Sequence, residues 1–379
     1  MRRRGLSGSF WPSRRQEKLL RLALDRRVDV ERAWQELQPL QIETLEEGTF
    51  ALLPLVHARL SEAGLQDERL PRLAGTYRST WVRNQLQLDR LPFLLKPLRD
   101  AGIEPIMSGG AVVAKRYYPQ VGFRPILQLE LLVAAEEATR AGSLLAQHGW
   151  RIDSRTPGRT TRVVQEDGRV AALLYEGVPA YVRGPVGASA AFAALAQEAT
   201  DVELDGTSAR TLTASDELLL ACALGARMTF APGIQWLVDV HQILASGEAD
   251  SERLAARARA QRLTAPLHDA LRYLELTTTL EVPEAVTSAP VGARERLVQR
   301  LAGNGLGVLG APPEPVVEYA RATLAEPPLS AARGLPCALR DAWGLDGVAE
   351  VPAAAARKVV RRARRGQPSR RGRSRSASS

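Results

Sequence analysis

The sequence predicts an α+β protein in which a strand-rich centre lies between two helical parts. Leucines recur at helical spacing over residues 16–100, short apolar runs alternate with glycine turns over residues 101–210, and helical spacing returns after residue 211. The predicted organisation is a disordered basic N-terminus (1–15), a helical region (16–100), a sheet core (101–210), a second helical region (211–350) and a disordered Arg/Ser-rich tail (351–379).

The N-terminal helices are predicted from apolar spacing and from signals at helix ends. Asp29 is a favourable N-cap, Gly64 is a favourable helix end, and Pro54 and Pro92 each interrupt an apolar stretch. We predict helices over residues 16–25, from residue 29, over residues 42–60 with a division at Pro54, and over residues 73–98 with a kink or break at Pro92 and Pro97.

A glycine turn follows the first apolar run of the predicted core. We predict a strand over residues 103–107, a turn at Ser108-Gly109-Gly110, and a helix that begins directly after it. The first N–H groups of a helix have no partner within it and its dipole favours negative charge, so such a turn suits a phosphate. The alternative is a tight strand-to-helix turn that binds nothing.

Two polar residues interrupt the next apolar run, residues 126–133. The strand period of two places Gln128 and Glu130 on one face and Leu127, Leu129 and Leu131 on the other. The predicted strand therefore presents a paired polar face to a cleft. The alternative for Glu130 is a solvent-facing position on an edge strand.

The order of these motifs resembles that of a known family. The chain has a glycine turn, a helix, Tyr117-Tyr118-Pro119, Arg124-Pro125 and then the strand with polar residues two apart, which resembles the uncharacterised bacterial nucleotidyltransferases, distant relatives of DNA polymerase β. The resemblance implies a nucleotidyltransferase-like mixed β-sheet core flanked by helical N- and C-terminal parts. In that family the strand is typically Asp-x-Asp, whose aspartates hold the Mg²⁺ ions that align a nucleoside triphosphate.

The family's functional positions can be carried over residue by residue. Ser108 stands where the family has a lysine and Gly109 where it has a glycine, while Gln128 and Glu130 stand at the two aspartates. The resemblance thus implies that nucleotide would be bound by Ser108, Gly109, Gly110 and Arg124, that Gln128 and Glu130 occupy the catalytic positions, and that Glu130 is the remaining metal ligand.

The substitutions bear directly on metal binding. A Gln amide is neutral, whereas Mg²⁺ prefers carboxylate oxygens and substrate phosphates. The family's third carboxylate lies on a later strand, and in residues 169–176 that position falls on Ala171 or Leu173, which leaves Glu176 as the only acid of the strand. We therefore expect the Gln/Glu pair to hold two metals poorly.

Two basic residues near the turn have alternative roles. Arg124 either holds a phosphate or caps a neighbouring carboxylate, and we favour the structural role. Lys115 is the only lysine near the turn, but it lies about two helical turns beyond it, so we expect its side chain to be solvated.

The rest of the chain adds a hairpin and a helical half. Asp167-Gly168 predicts a hairpin between strands at residues 160–165 and 169–175, and short edge strands are predicted at residues 179–183 and 201–204. Thr213 is a predicted helix cap, and Trp236-Leu237-Val238-Asp239 resembles a helix of the same family. Helices are predicted over residues 134–149, 213–224, 234–244, 251–261, 266–276, 294–301 and 315–324.

Positive charge is concentrated at the two ends of the chain. Residues 357–379 carry +10 and residues 1–15 carry +5, which leaves residues 16–356 with −6 of the total of +9. The Arg-rich tail predicts at most weak, non-specific nucleic-acid contact through residues 357–379, because no aromatic residues interleave with its arginines. The two cysteines have no metal-ligand spacing and no apolar run approaches a membrane span, so we expect a cytoplasmic protein without membrane contact.

Three functional hypotheses follow. The first is a nucleotidyltransferase-family protein that is catalytically impaired, because the metal-binding Asp-x-Asp is Gln128-Leu129-Glu130, and that acts by binding a nucleotide or a protein partner. The second is an active Mg²⁺-dependent nucleotidyltransferase that modifies a small molecule or a protein with Glu130 and a displaced acid. The third is a nucleic-acid-associated protein that uses its Arg-rich tail.

Overall fold

The structure, a computed structural model, describes residues 11–37, 45, 48–156, 159–179, 182, 187–225, 234–304, 314–323 and 328–365. The chain divides into two compact units, Met1–Ala325 and Glu326–Ser379. The first unit contains every described strand.

The N-terminal part of the first unit is helical. Ser13 and Gln16 form a capping box, in which each side chain accepts a hydrogen bond from the other residue's backbone N–H, at 3.2 and 3.0 Å. Asp29 caps the second helix, as predicted, by accepting a bond from the N–H of Arg32 at 3.1 Å. The helices are α1 (Arg14–Leu24), α2 (Val30–Gln35), α3 (Leu53–Glu62), α4 (Leu70–Leu88) and α5 (Leu91–Asp100).

Prolines set two of these boundaries. The stretch 73–98 forms two helices, α4 and α5, and Pro92 lies in the first turn of α5, where its missing N–H removes no helical bond. Pro97 lies inside α5 and does not end it. Pro54 has the same place in α3, after a 3-10 turn at Thr49–Leu52. α1 begins at Arg14, so the helical part starts just inside the segment 1–15 that the sequence predicts to be disordered.

A mixed seven-stranded sheet forms the centre of the described chain, which confirms the predicted α+β class. Its strand order is β3-β4-β5-β2-β1-β7-β6. β1 pairs antiparallel with β2 and parallel with β7, and β2 pairs parallel with β5. The strands are β1 (Ile106–Ser108), β2 (Leu129–Val133), β3 (Trp150–Thr156), β4 (Thr160–Gln165), β5 (Ala171–Glu176), β6 (Thr200–Leu204) and β7 (Thr207–Thr211).

β2 is shorter than predicted. It begins at Leu129, so Leu127 and Gln128 precede it, and Leu127 is 84% exposed instead of lying on the apolar face. The physical reason is a contact with α4. The N–H of Ile126 donates to the side chain of Asn84 at 2.8 Å, so this backbone bonds to α4 and not to a neighbouring strand.

Two elements of the centre were not predicted. β7 forms a hairpin with β6 through Asp205 and Gly206, both of which have positive φ, and α8 lies between β5 and β6. The predicted strand at residues 179–183 falls largely outside the described residues. The predicted β4–β5 hairpin is confirmed, and Gly168 has the positive φ that its turn requires.

Helices connect the strands and form the C-terminal half of the first unit. Their bounds are α6 (Gly110–Arg116), α7 (Ala138–Gln147), α8 (Ala188–Ala196), α9 (Ala214–Gly225), α10 (Gln235–Ala245), α11 (Ser251–Ala260), α12 (Thr264–Thr277), α13 (Glu284–Thr287), α14 (Ala293–Asn304) and α15 (Glu314–Ala322).

The second unit is helical where it is described. It contains α16 (Pro328–Trp343) and α17 (Val351–Arg365). α17 occupies the first part of the tail that the sequence predicts to be disordered; its alanines and arginines are strong helix formers. Across the described ranges, no helix combines the length and the apolar character needed to cross a membrane.

The sheet separates two apolar clusters. Leu129, Leu131 and Val133 of β2 belong to a cluster with α5 and α7. Leu132, on the opposite face, belongs to a larger cluster formed with α9, α10 and α12. Because side chains alternate along a strand, Glu130 lies on the same face as Leu132, beneath the C-terminal helices.

Candidate functional site

The candidate site begins with three neighbouring strand positions. Ser108 of β1 lies opposite Glu130 of β2, and Glu130 lies beside Leu173 of β5. This register settles which of the two β5 positions pairs with Glu130: it is residue 173 and not residue 171. Leu173 is therefore the one of the two positions considered for the family's third acid that lies beside Glu130.

The glycine turn lies directly against these strands. Gly109 has φ +66° and ψ −140°, a conformation that residues with a side chain rarely adopt. A Cβ at this position would lie 2.8 Å from Cδ of Glu130, and one on Gly110 would lie 2.5 Å from Nη1 of Arg124. Gly109 is favoured by its positive φ and by the close approach of Glu130, and Gly110 by the close approach of Arg124, whose guanidinium is held by Asp239.

The N–H groups of the turn donate hydrogen bonds to carboxyl groups of the protein itself. The N–H of Gly109 donates to both carboxylate oxygens of Glu217, each at 3.2 Å, and the N–H of Gly110 bonds to Glu130. From the sequence, these donors are expected either to bind a phosphate or to form a tight turn that binds nothing. The protein's own side chains satisfy them here.

Glu217 is a buried carboxyl group on α9. It is 1% exposed, and its burial, reinforced by the nearby charge of Glu130, raises its pKa to about 8. The N–H of Gly109 opposes this shift. Glu217 is therefore largely protonated at neutral pH, so two adjacent carboxyl groups are accommodated with little more than one negative charge.

Glu130 is also held by several partners. The hydroxyl of Tyr175, two residues beyond Leu173 on the same face of β5, donates to Glu130 Oε2 at 3.1 Å. Burial raises the pKa of Glu130, while the guanidinium of Arg124 and the bonds from Tyr175 and Gly110 oppose the rise. Glu130 faces the glycine turn and α9, and the edge-strand alternative is wrong because β2 has a neighbour on each side.

Arg124 caps a carboxylate, as favoured from the sequence. Its Nε and Nη2 donate to the two oxygens of Asp239 on α10, at 3.1 and 2.8 Å. The side chains are only 13% and 7% exposed. The hydroxyl of Tyr118 donates to Asp239 at 2.7 Å. Nε2 of Gln235 donates to the Tyr118 hydroxyl and to Asp239. This fixed, bidentate pair links the segment before β2 to the C-terminal helices.

Asn84 positions the segment that carries Arg124. Its amide nitrogen donates to the carbonyls of Val121 and Arg124, at 2.6 and 2.7 Å, and its oxygen accepts from Ile126. The residue is 1% exposed and lies on the buried face of α4. One side chain of the N-terminal helices therefore holds the chain as it enters the site.

The remaining predicted residues contribute less. Gln128 lies one residue before β2 and is partly exposed, and the buried hydroxyl of Ser108 has no hydrogen-bond partner in the described part of the chain. Lys115 is paired with Asp205 at 3.0 Å, not solvated as expected, because β6 and β7 bring an acid beside it. Glu176 lies on the opposite face of β5 from Tyr175 and is 3.9 Å from Arg155.

The donor set does not fit a pair of Mg²⁺ ions. Of the positions to which the resemblance assigns metal ligands, residues 128, 130 and 173, only Glu130 is acidic, and its oxygens already accept bonds from Tyr175 and Gly110. Considering only residues that the structure describes, no group of three or more His, Cys, Asp or Glu is arranged to hold a metal ion. Glu217 adds an acid, but both its oxygens already accept from the N–H of Gly109.

Sequence reasoning missed Glu217 and the role of Tyr175. A signal for Glu217 was present, because α9 is a run of apolar residues and an acid within such a helix must be either neutralised or partnered. Asp239 was noted only as part of a family-like motif. No local pattern indicated that α9 and α10 bring these acids to the glycine turn.

The fold and this site define a nucleotidyltransferase-like protein. A family model described as "Uncharacterised nucleotidyltransferase" matches residues 49–279, more than half of the 379, and the chain belongs to that family. The match runs from the 3-10 turn before α3 to just beyond α12.

Other comparisons add little. This chain is similar to the crystal structure of an antigenic nucleotidyltransferase-like protein from Paracoccidioides brasiliensis, with 12% sequence identity and a TM-score of 0.33. The match covers 53% of this chain and 96% of that one, and its TM-score is too low to carry an argument. A comparison with curated proteins found no match.

Proposed function

We propose that this protein acts by binding, without nucleotidyl transfer, and that its ligand class is a nucleotide. The observation that carries the proposal is the β1–β2–β5 register, which places Ser108, Glu130 and Leu173 side by side. Two-metal transfer needs several carboxylates that clamp the attacking and leaving oxygens, and of the positions that the resemblance assigns to them, residues 128, 130 and 173, only Glu130 is acidic. Gln128 and Glu130, at the positions that the resemblance assigns to catalysis, therefore supply less negative charge than the two aspartates that the reaction uses.

The glycine turn supports an anionic ligand. Its N–H groups point to a place that carboxylates already fill, so a phosphate would bind the N–H of Gly109 only after Glu217 had moved away. Ser108 and Gly110 would flank that phosphate, and Arg124 would face it while it remained paired with Asp239. Binding by this route needs no metal ion.

The experiment that tests the proposal has two arms. Pyrophosphate release from the four nucleoside triphosphates is measured with Mg²⁺ or Mn²⁺, and nucleotide binding is measured by calorimetry with and without a chelator. We expect no release above the level of a Glu130→Ala control and binding that is unchanged by the chelator. Metal-dependent release that the Glu130→Ala substitution abolishes would overturn the proposal, and a lack of binding in both buffers would leave a protein partner as the ligand.

One observation favours a second candidate, an active Mg²⁺-dependent transferase that modifies a small molecule or a protein. Glu217 accepts the N–H of Gly109 and lies near Glu130. An acid displaced from the family's usual position would be needed at this place. Mg²⁺ is implied only by this candidate. It predicts that Glu130→Ala and Glu217→Ala each abolish pyrophosphate release, whereas binding without transfer predicts no release to abolish.

A further inference from the structure

Helix α4 presents an exposed apolar stripe on the side opposite Asn84. Val82 is 50% exposed and Leu86 is 39% exposed. The buried face of the same helix, with Leu73, Asn84 and Leu88, packs against the site and the core. The stripe is therefore extra to what α4 needs for folding, and exposed apolar faces of this kind mark interaction surfaces.

Two charged residues of opposite sign flank the apolar pair on the same face. At 100° per residue, Arg78 and Asp89 lie within about 40° of Val82 around the helix. Both are exposed, and neither has an ion-pair partner among the described residues. Gly75, one turn before Arg78, has nothing within 4 Å of a Cβ placed on it, so the stripe is open along this part of its length.

The spacing of these residues is symmetric about one point. The midpoint of Val82 and Leu86 is residue 84, and Arg78 lies six residues before it and Asp89 five residues after it. At about 1.5 Å per residue, the two charges are roughly 9 and 7.5 Å from the midpoint. If two copies of α4 packed antiparallel about a two-fold axis there, Val82 would meet Leu86 of the partner subunit and Arg78 would meet Asp89 of the partner subunit.

We propose that α4 is the two-fold interface of a homodimer of this chain. A two-fold interface requires one surface that is complementary to itself, and here the apolar pair and the charged pair satisfy that requirement about the same axis. Each dimer would contain the Arg78–Asp89 pair twice.

The same stripe does not suit the other occupants. A nucleic acid is bound by positive charge along its backbone with aromatic stacking, whereas Asp89 places a negative charge at one end of this stripe and aliphatic residues hold its centre. An acidic helix from another protein would pair with Arg78 but would be repelled by Asp89. A second copy of α4 is the partner that matches both charges.

The test is a charge exchange followed by sedimentation velocity of the full chain over a range of concentrations. Arg78→Asp and Asp89→Arg each place like charges opposite one another twice, and we expect each to weaken dimerisation by about tenfold or more. The double variant restores both pairs and should recover the wild-type association. Arg83→Asp is the matched control, since Arg83 is an exposed arginine of α4 that lies about 100° from Val82 around the helix.

The outcomes are distinct. The substituted residues are exposed, so circular dichroism should show that every variant keeps its helical content. A wild-type protein that is monomeric at all concentrations would overturn the proposal. So would a dimer that is indifferent to the single exchanges, or a double variant that associates no better than either single one.

Discussion

At the scale of single residues, the buried Glu217 makes stability depend on pH. Its pKa of about 8 lies above the ordinary 4.5, so between these values the folded protein holds a proton that the unfolded chain releases. The free energy of unfolding therefore falls as the pH rises through this window, by on the order of a few kcal/mol. Denaturation by acid depends on other titratable groups and occurs below this pH window.

The substitution Glu217→Gln tests this dependence. Gln keeps an oxygen for the N–H of Gly109 but cannot ionise, so most of the decline should disappear and the variant should be more stable than wild type at pH 8 and above. Urea unfolding of both proteins between pH 5 and 9 measures the difference. Parallel curves for the two proteins would show that Glu217 does not titrate as described.

The Arg124–Asp239 pair predicts a large loss when one partner is removed. In Asp239→Ala the guanidinium of Arg124, 13% exposed in the wild type, is left without its bidentate acceptor. We expect a loss of about 3–5 kcal/mol in the free energy of unfolding, the range for a broken buried pair. Chemical denaturation measures it.

A solvent-exposed pair is the control for that prediction. Lys96 and Asp100 are paired at 2.7 Å, but their side chains are 74% and 61% exposed. Asp100→Ala should leave stability within experimental error of wild type, because water replaces the lost partner. Equal losses in Asp100→Ala and Asp239→Ala would contradict the importance assigned to burial of the Arg124 pair.

At the scale of elements, the turn between β1 and α6 depends on Gly109. Gly109→Ala introduces backbone strain at φ +66° and a Cβ 2.8 Å from Glu130, and we expect a loss of about 2–4 kcal/mol. Gly102→Ala is the matched control: its φ is +76° but nothing lies within 4 Å of its Cβ, so only the strain of about 1 kcal/mol applies. Thermal unfolding compares them, and similar losses would argue against the close approach of Glu130.

Elements governed by local rules could be predicted from the sequence. The glycine turn, the Asp167-Gly168 hairpin and the cap at Asp29 follow from residues that are neighbours in the chain. The start of β2 could not be predicted, because it depends on Asn84, about 40 residues away in sequence. The hairpin turn at Asp205-Gly206 carried a signal, but β7 was missed because its apolar content is low.

The candidate site could be predicted only in part for the same reason. Ser108, Gly109, Gly110 and Glu130 were assigned to one cleft from a local pattern and a family resemblance, and strand pairing brings them together. Glu217 and Asp239 reach the cleft because α9 and α10 pack over one face of the sheet. That packing is set by contacts between residues more than 100 positions apart in sequence, which the spacing of neighbouring residues does not reveal.

At the scale of the whole molecule, the family match over residues 49–279 places the chain in the family described as uncharacterised nucleotidyltransferases. In its central sheet the positions beside Glu130 hold Ser108 and Leu173, and Glu217 accepts the N–H of the glycine turn. The central claim is that this cleft does not bind the metal ions of nucleotidyl transfer.

Binding of Mn²⁺, a spectroscopically visible substitute for Mg²⁺, tests that claim most directly. Electron paramagnetic resonance is used to titrate Mn²⁺ into the wild-type protein and into Glu130→Gln at neutral pH. The account predicts that both proteins leave the ion free to the same extent, because Glu130 is the lone acid on the three strand positions. Stoichiometric binding by the wild type that is lost in Glu130→Gln would contradict it.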